Sequence, residues 1–418
     1  MIRPTKRTVT CTFMIIGGLC TGLFALCVDG CGPGEPEPDK VLAREPVPYV
    51  PQLNTQNAFD AYAFAAQDAE RLAPTYVSRV SFFPDQKQAV AKAISTCMKT
   101  VKEATKRDCD FKFVPHRPFK AAPYQNGWRL IGRVFKWNVE TACTAADYDT
   151  ALSNAVIGTK FAFGLTGGGA TDASLGLAIA DEIRKAIAPY LAKMSPVQLD
   201  RLAQGIKEAL LKHPPILDTL KNEHENMLQS LQYIQDQLKS DNLKTLQDNM
   251  GPDVNEAIRF MTQIRANALK RKVFFTDLEK ACEEEYSAVE HDSSLPQSKR
   301  LKPKTDFNTQ WKKLPKHVLG TLRPLIEMND ATMARTRLLI LYSELLKFGK
   351  ENKPYPADLT GFSQEITLDP FSDAPFLYHA DQAEFSLYSV GANGRDDGGD
   401  SDEETYTYPD LKLECSGQ

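Results

Sequence analysis

The chain lacks the compact motifs that usually mark hydrolases, metalloenzymes and nucleotide-binding proteins. Its 418 residues contain no GxSxG, no HExxH, no GxxxxGK[ST] and no CxxC pair. These absences exclude a nucleophile elbow, a zincin helix, a P-loop and a zinc ribbon. Histidine is scarce: the six residues are His116, His213, His224, His291, His317 and His379, none at a metal-ligand spacing. The best candidate for a basic face has no interleaved aromatic platform. Lys299, Arg300, Lys302, Lys304, Lys312 and Lys313 read as a solvated loop, so nucleic acid is not expected as a partner. No fixed repeat period appears, which excludes a solenoid of identical units. The longest apolar run, Phe13 to Val28, is short for a membrane span, which needs about 20 residues.

What is present is an ordinary globular composition, 42% hydrophobic and 25% charged, in a chain long enough for a large core and more than one domain. The net charge of -4 is unevenly placed. From Gly391 to the C-terminus eight acids face only Arg395 and Lys412, so the tail is about -6 and the remainder about +2. At the other end Arg3, Lys6 and Arg7 precede the apolar run, the order of a targeting segment. Residues 1–30 therefore read as a signal peptide or a membrane anchor. Val28-Asp29-Gly30-Cys31 resembles a lipoprotein processing site, with Cys31 the lipidated residue and Asp29 an unusual occupant. The Pro/Glu-rich stretch over 31–54 is a tether, extended and self-repelling. If the leader is removed and Cys31 lipidated, Cys97, Cys109, Cys143, Cys282 and Cys415 remain. They allow one disulfide, most simply Cys97 with Cys109, or else buried free thiols.

Residues 55–330 read as a helical body. Asn57 is a good N-cap for a helix to about Leu72, with Phe59, Tyr62 and Phe64 on one side. Ala89, Ala93, Cys97 and Val101 suggest a second stripe, and Trp128, Ile131, Phe135 and Val139 a third. Helices are expected over Ala145 to Leu165, Thr171 to Met194 and Pro196 to His213. The last is announced by Ser195, Pro196 and Gln198, a cap, a first-turn proline and a box partner. A heptad seam follows: Leu217, Leu220, His224, Met227, Leu231, Ile234 and Leu238. Two further helices are expected, Asp253 to Phe275 and Thr276 to Val289. From Ala331 a helix of about five turns ends near Gly349, followed by a tyrosine-proline turn. Strands are expected at Phe376 to His379 and Phe385 to Val390.

Four stretches invite chemistry. "LTGGGATDASLG" ahead of a helix can cradle phosphate, but a helix precedes it, and a tight helix-helix turn capped by Thr171 or Asp172 is the plainer reading. His224 beside Glu223 and Glu225, and the "CEEEY" run at Cys282 to Tyr286, read as a packed seam histidine and a solvated face rather than acid/base groups. The acidic loop "YSVGANGRDDGGDSDEE" offers Asn393, Asp396, Asp397 and Asp400 as oxygen donors, with glycines that let the backbone curl. By composition it is either a cation loop or a solvated one.

The succession "RTRLLILYSELLKFGKENKPYPADL", "LDPFSDAPFLYH", "FSLYSVG" and "NGRDDGG" resembles the C-terminal half of type II secretion major pseudopilins. That resemblance covers about seventy residues. It implies a small α+β module over 331–418, and calcium on the matching loop through Ser389, Asn393, Asp396, Asp397 and Asp400. "NAFDAY" and "GATDASLGLAIADEIRKAI" are also similar to uncharacterised exported proteins of planctomycete- and armatimonad-type bacteria. The apolar Phe13 to Val28 run has no acidic residue, unlike a polymerising pseudopilin helix. The expectation is a mainly α protein, a body of antiparallel amphipathic helices with a pseudopilin-like C-terminal module. It is exported to the cell envelope, on the periplasmic face of a membrane held through the N-terminal segment or a lipid. Its role is expected to be non-enzymatic, structural or interactive, with a protein partner in the envelope. The alternatives are an accessory of a type II secretion or pilus-like machine, and an envelope hydrolase.

Overall fold

The computed structural model describes residues 50–51, 56–111, 122–239, 262–263, 265, 267–300, 322–381, 384–399 and 410–413. The targeting segment, Cys31, most of the tether, Asp400 and the stretch 251–261 lie outside the described residues. Among those described, no helix is long and apolar enough to cross a membrane. The architecture is mainly helical with a small three-stranded antiparallel sheet.

Helix α1 (Ala58–Leu72) starts where expected. The Asn57 side chain accepts from the Phe59 N–H at 3.0 Å, and its amide donates to the Asp110 carbonyl at 2.6 Å, so the cap also pins a distant loop. Alanines cover much of α1, and nearly all of them are buried. Helices α2 (Pro84–Ala93) and α3 (Ser95–Ala104) follow, separated at Ile94. Their buried stripe is Val90, Ile94, Cys97, Val101 and Ala104, while Ala89 and Ala93 are exposed. Alanine marks a face weakly, and the larger side chains decide which way the helices turn.

Helix α4 (Gln125–Thr144) buries Trp128, Ile131, Phe135 and Val139 as expected. It stops at Ala146, which takes a positive φ of 57°, and α5 (Tyr148–Leu165) starts from an Asp147 cap. Helix α5 is the innermost element and packs on α1, α4, α6 (Ala170–Ile187) and α7 (Pro196–Leu211). It buries Leu152, Phe161, Phe163 and Leu165 along with small residues, so it is apolar nearly all round rather than amphipathic. The expected helix to Met194 ends instead at Ile187, and a 3-10 turn over Ala188–Lys193 follows where Pro189 removes a donor. Helix α7 has the expected box: Ser195 accepts from the Gln198 N–H, and Gln198 accepts from the Ser195 N–H. Such a cap contributes about 1 kcal/mol.

Helix α8 (Ile216–Lys239) packs its heptad seam largely against α9 (Ala268–Ser293). The second of these was expected as two helices meeting at Phe275 and Thr276, but it runs through. The true boundary is Asn267, whose side chain caps the Lys270 N–H at 2.9 Å. Helix α10 (Leu322–Lys350) is already helical at Leu322, ahead of the expected Ala331, and is buried on several sides. A single turn, α11 (Gln364–Thr367), leads to β1 (Leu377–Ala380) and β2 (Phe385–Ser389), paired with Leu377 opposite Tyr388. A third strand, β3 (Leu411–Lys412), pairs with β2 and was not expected from the sequence.

The four described cysteines, Cys97, Cys109, Cys143 and Cys282, are free thiols. Cys109 donates to the Gly164 carbonyl at 3.3 Å, and burial pushes its thiol up to about 12.

Close helix approach depends on glycine. A Cβ at Gly127 on α4 would lie 2.1 Å from the Ala66 carbonyl oxygen of α1, a clash with rigid backbone. Gly361 has nothing within 4 Å of such an atom. Urea denaturation should therefore show Gly127→Ala destabilised by about 3 kcal/mol, the cost of overpacking, and Gly361→Ala close to wild type.

Candidate functional site

The C-terminal module is built around a buried aspartate. In the Asp369-Pro370-Phe371 turn the Asp369 carboxylate accepts from the Phe371 N–H and the Val390 N–H, each at 3.0 Å. It also receives the Ser389 hydroxyl. One side chain thus ties the turn to the end of β2. Burial raises its carboxyl above the usual range, and these donors and the nearby Arg337 partly offset that. Arg337 on α10 donates to the Leu368 carbonyl at 2.7 Å, and Tyr342 on the same helix donates to the Leu387 carbonyl at 3.2 Å.

The acidic loop leaves β2 directly. Gly391, Gly394, Gly398 and Gly399 all take positive φ, the left-handed conformation that glycine adopts without strain. The five residues that the resemblance implied as ligands divide. Ser389 is fully buried and engaged with Asp369 and the Gly391 N–H, so it does not join the loop carboxylates. Asn393 donates to Asp397 at 2.7 Å and accepts from the Arg395 N–H. Asp396 accepts from the Gly398 N–H at 2.9 Å and from the Tyr388 hydroxyl at 3.1 Å. Asp400 lies outside the described residues.

The residue that sequence reasoning missed is Asp410. It is 1% exposed and sits beside β3. Its Oδ2 accepts from the Asp397 N–H at 3.0 Å and the Gly399 N–H at 2.7 Å, while its Oδ1 is buried without a hydrogen-bond partner. Burial raises its carboxyl, and the charges of Asp397 and Asp396 raise it further. Among the described residues no Lys or Arg forms an ion pair with these three aspartates. In sequence Asp410 is one more acid in an acidic tail; only the pairing of Leu411 with Ser389 brings it home. Among the described residues, no group of three or more His, Cys, Asp or Glu side chains is set as metal ligands. The loop's fit to a cation therefore rests on Asp410, an orphaned buried oxygen next to two like charges, and not on a preformed cage.

The glycine-rich turn between α5 and α6 is a tight helix junction, as expected. Its cap is different. Gly169 occupies the cap position, and neither Thr171 nor Asp172 serves as cap. The first N–H of α6, at Ala170, is bound instead by Glu223 of α8 at 2.8 Å. A carboxylate there satisfies an orphan donor and the helix dipole together. Thr219 and Asn222 on the same face of α8 donate to the carbonyls of Thr166 and Gly167. Asp172 is buried and accepts from Gln125 at 2.6 Å. A phosphate at this turn would meet two carboxylates.

The remaining polar candidates are structural contacts. His224 stacks on Tyr286, ring centroids 4.4 Å apart, with its Nε2 3.3 Å from Glu283. Within "CEEEY", Cys282 is buried, Glu283 faces His224 and Glu285 lies 3.8 Å from Arg323, so this face is not simply solvated. His213 packs edge-on against Phe163, and burial lowers it to about 4. Arg300, from the basic stretch read as solvated, is half-buried and pairs with the buried Asp330 at 2.6 Å. A shallow groove of about 670 Å³ lies between α8 and α9, lined by Leu228, Gln232, Thr276, Glu279 and Glu283 among others.

Burial, opposed by the Gln125 hydrogen bond and reinforced by Glu223, raises Asp172 to about 7. The folded state therefore holds a proton that the unfolded chain releases near pH 4, and stability falls as pH rises from about 4 to about 7. Melting curves across that range should show this loss in wild type, and a flatter profile in Asp172→Asn. No family model matches this chain, and no curated protein or solved structure matches it, so its own geometry carries the functional argument.

Proposed function

We propose that this is a non-enzymatic, extracytoplasmic, membrane-tethered protein with a structural or interaction role, whose C-terminal module is closed by calcium. The observation that carries the calcium reading is Asp410, with one carboxylate oxygen buried and unpaired beside Asp396 and Asp397. A hard dication suits such a site, because it takes carboxylate and carbonyl oxygens on a flexible loop and cancels their repulsion. Asp410, Asp396 and Asp397 would hold it, together with Asn393 and backbone carbonyls of the glycine turns. The ion would supply charge neutralisation and fix the loop between β2 and β3. That is a folding role rather than a catalytic one.

The structural role is supported by how the polar candidates are spent. Glu223, Asp172, His224 and Arg300 each join one helix or loop to another. The extracytoplasmic, tethered location is supported by Arg3, Lys6 and Arg7 before the Phe13 to Val28 run, and by the Pro/Glu stretch after it.

Binding with a dissociation constant of about 0.1 mM stabilises by roughly 2–3 kcal/mol at about 10 mM free ion. The melting temperature should therefore rise by a few degrees in millimolar calcium relative to chelator. Asp396→Ala with Asp397→Ala should abolish the rise, and so should Asp410→Asn. Identical melting in calcium and in chelator would overturn the calcium reading.

A further inference from the structure

We infer that the corner between α1 and α2 is a membrane-seating surface for anionic lipid headgroups, a proposal that rests on the membrane-tethered reading above for its location. Val80 is 90% exposed and Phe83 69% exposed, at the tip of the connection that leads into α2. Large apolar side chains so placed stabilise nothing within the chain. Behind them is a layer of rings: Tyr76 and Phe82 stack with centroids 6.1 Å apart, and Phe82 meets Trp137 edge-on at 4.9 Å. Cations lie over each ring, Arg79 over Tyr76 at 5.3 Å, Arg133 over Phe82 at 5.5 Å and Lys87 over Trp137 at 5.7 Å. Arg133 also donates to the Arg79 carbonyl at 2.5 Å, which holds the tip to α4.

Apolar tip, aromatic layer and cations together match the order of a lipid interface, with hydrocarbon outermost and rings and cations at headgroup depth. The charge is also right. The segment from Pro74 to Asp108 carries seven cations (Arg79, Lys87, Lys92, Lys99, Lys102, Lys106 and Arg107) and three acids (Asp85, Glu103 and Asp108), a net of +4 in a chain of net -4, while at the tip Lys87 also pairs with Glu140 at 3.5 Å. A segment of that charge is drawn to an anionic surface. The reach is sufficient, since the residues from Asp29 to Val50 span up to about 70 Å when extended.

The test is amide hydrogen exchange of the full chain, alone, with phosphatidylcholine vesicles, and with vesicles in which about one lipid in three is phosphatidylglycerol. Amides over 78–84 should slow by roughly fivefold or more on the anionic vesicles only. Val80→Ser with Phe83→Ser should remove the slowing, and Arg79→Glu should reduce it, with no change in melting temperature. Unchanged exchange over 78–84 on vesicles that carry the chain would overturn the proposal, as would equal slowing on both vesicle types. Slowing without lipid that grows with protein concentration would overturn it too, by making a second copy the occupant. Failure of the tether reads differently: the doubly substituted chain would then leave the vesicles altogether instead of remaining bound through residues 1–30.

Discussion

Helix α10 is the element on which the rest depends, because the helical body and the small sheet pack on the same 29 residues. Toward the body, Lys207 of α7 pairs with Glu344 at 2.9 Å, and Lys350 donates to the Ala192 carbonyl in the 3-10 turn. Toward the sheet, Tyr342 and Arg337 donate to the carbonyls of Leu387 and Leu368. Leu338, Leu339, Ile340 and Leu341 are all buried, and four consecutive residues point in every direction around a helix. A helix with one wet face would leave the sheet without a floor. A hairpin with only a two-residue third strand gains its stability by packing on a helix, and α10 supplies that surface.

Buried charge marks the joints. Arg300 meets Asp330, Arg323 meets Asp292, and Asp181 lies between Arg184 and Arg335. Each pair except Asp181 with Arg184 links elements distant in sequence. Pairs of this kind add little net stability, since desolvation takes back much of the attraction, but a wrong register would leave a charge buried without its partner. Exposed pairs such as Lys106 with Glu103 contribute little, because water and salt screen them. The arrangement places specificity at the crossings of α6, α9 and α10, and leaves bulk stability to the apolar contacts of α5.

Much of the local structure was legible from residues that act on their near neighbours. Asn57 and Ser195 cap as read, the 128, 131, 135 and 139 positions face the core, and the hairpin forms within a residue of its expected start. Errors arose where a distant element supplied the decisive group. The cap of α6 comes from Glu223, more than fifty residues away, so the choice of Thr171 or Asp172 had no means of being right. The break expected at Thr276 is absent because packing of α9 on α8 carries the helix past a β-branched residue whose local cost is a few tenths of a kcal/mol. At the acidic loop the turn-forming glycines were readable, while the engagement of Ser389 with Asp369 and the arrival of Asp410 through β3 were not.

The sequence by itself determined what depends on periodicity and on near-neighbour chemistry: a mainly helical chain, most helix starts, the tight glycine junction and the hairpin. These follow from groups within about one turn of each other, whose preferences survive in any fold. Only the tertiary structure decided that α10 joins the helical body and the sheet in one core, that Arg300 pairs with Asp330 instead of standing in solvent, and that an aspartate far down an acidic tail completes the loop beside Asp396. It also decided that Val80 and Phe83 stand in water while neighbouring Phe82 does not. Burial, pairing and orphaned oxygens depend on which distant surfaces meet, and that is settled by packing of the whole chain, not by any window of it.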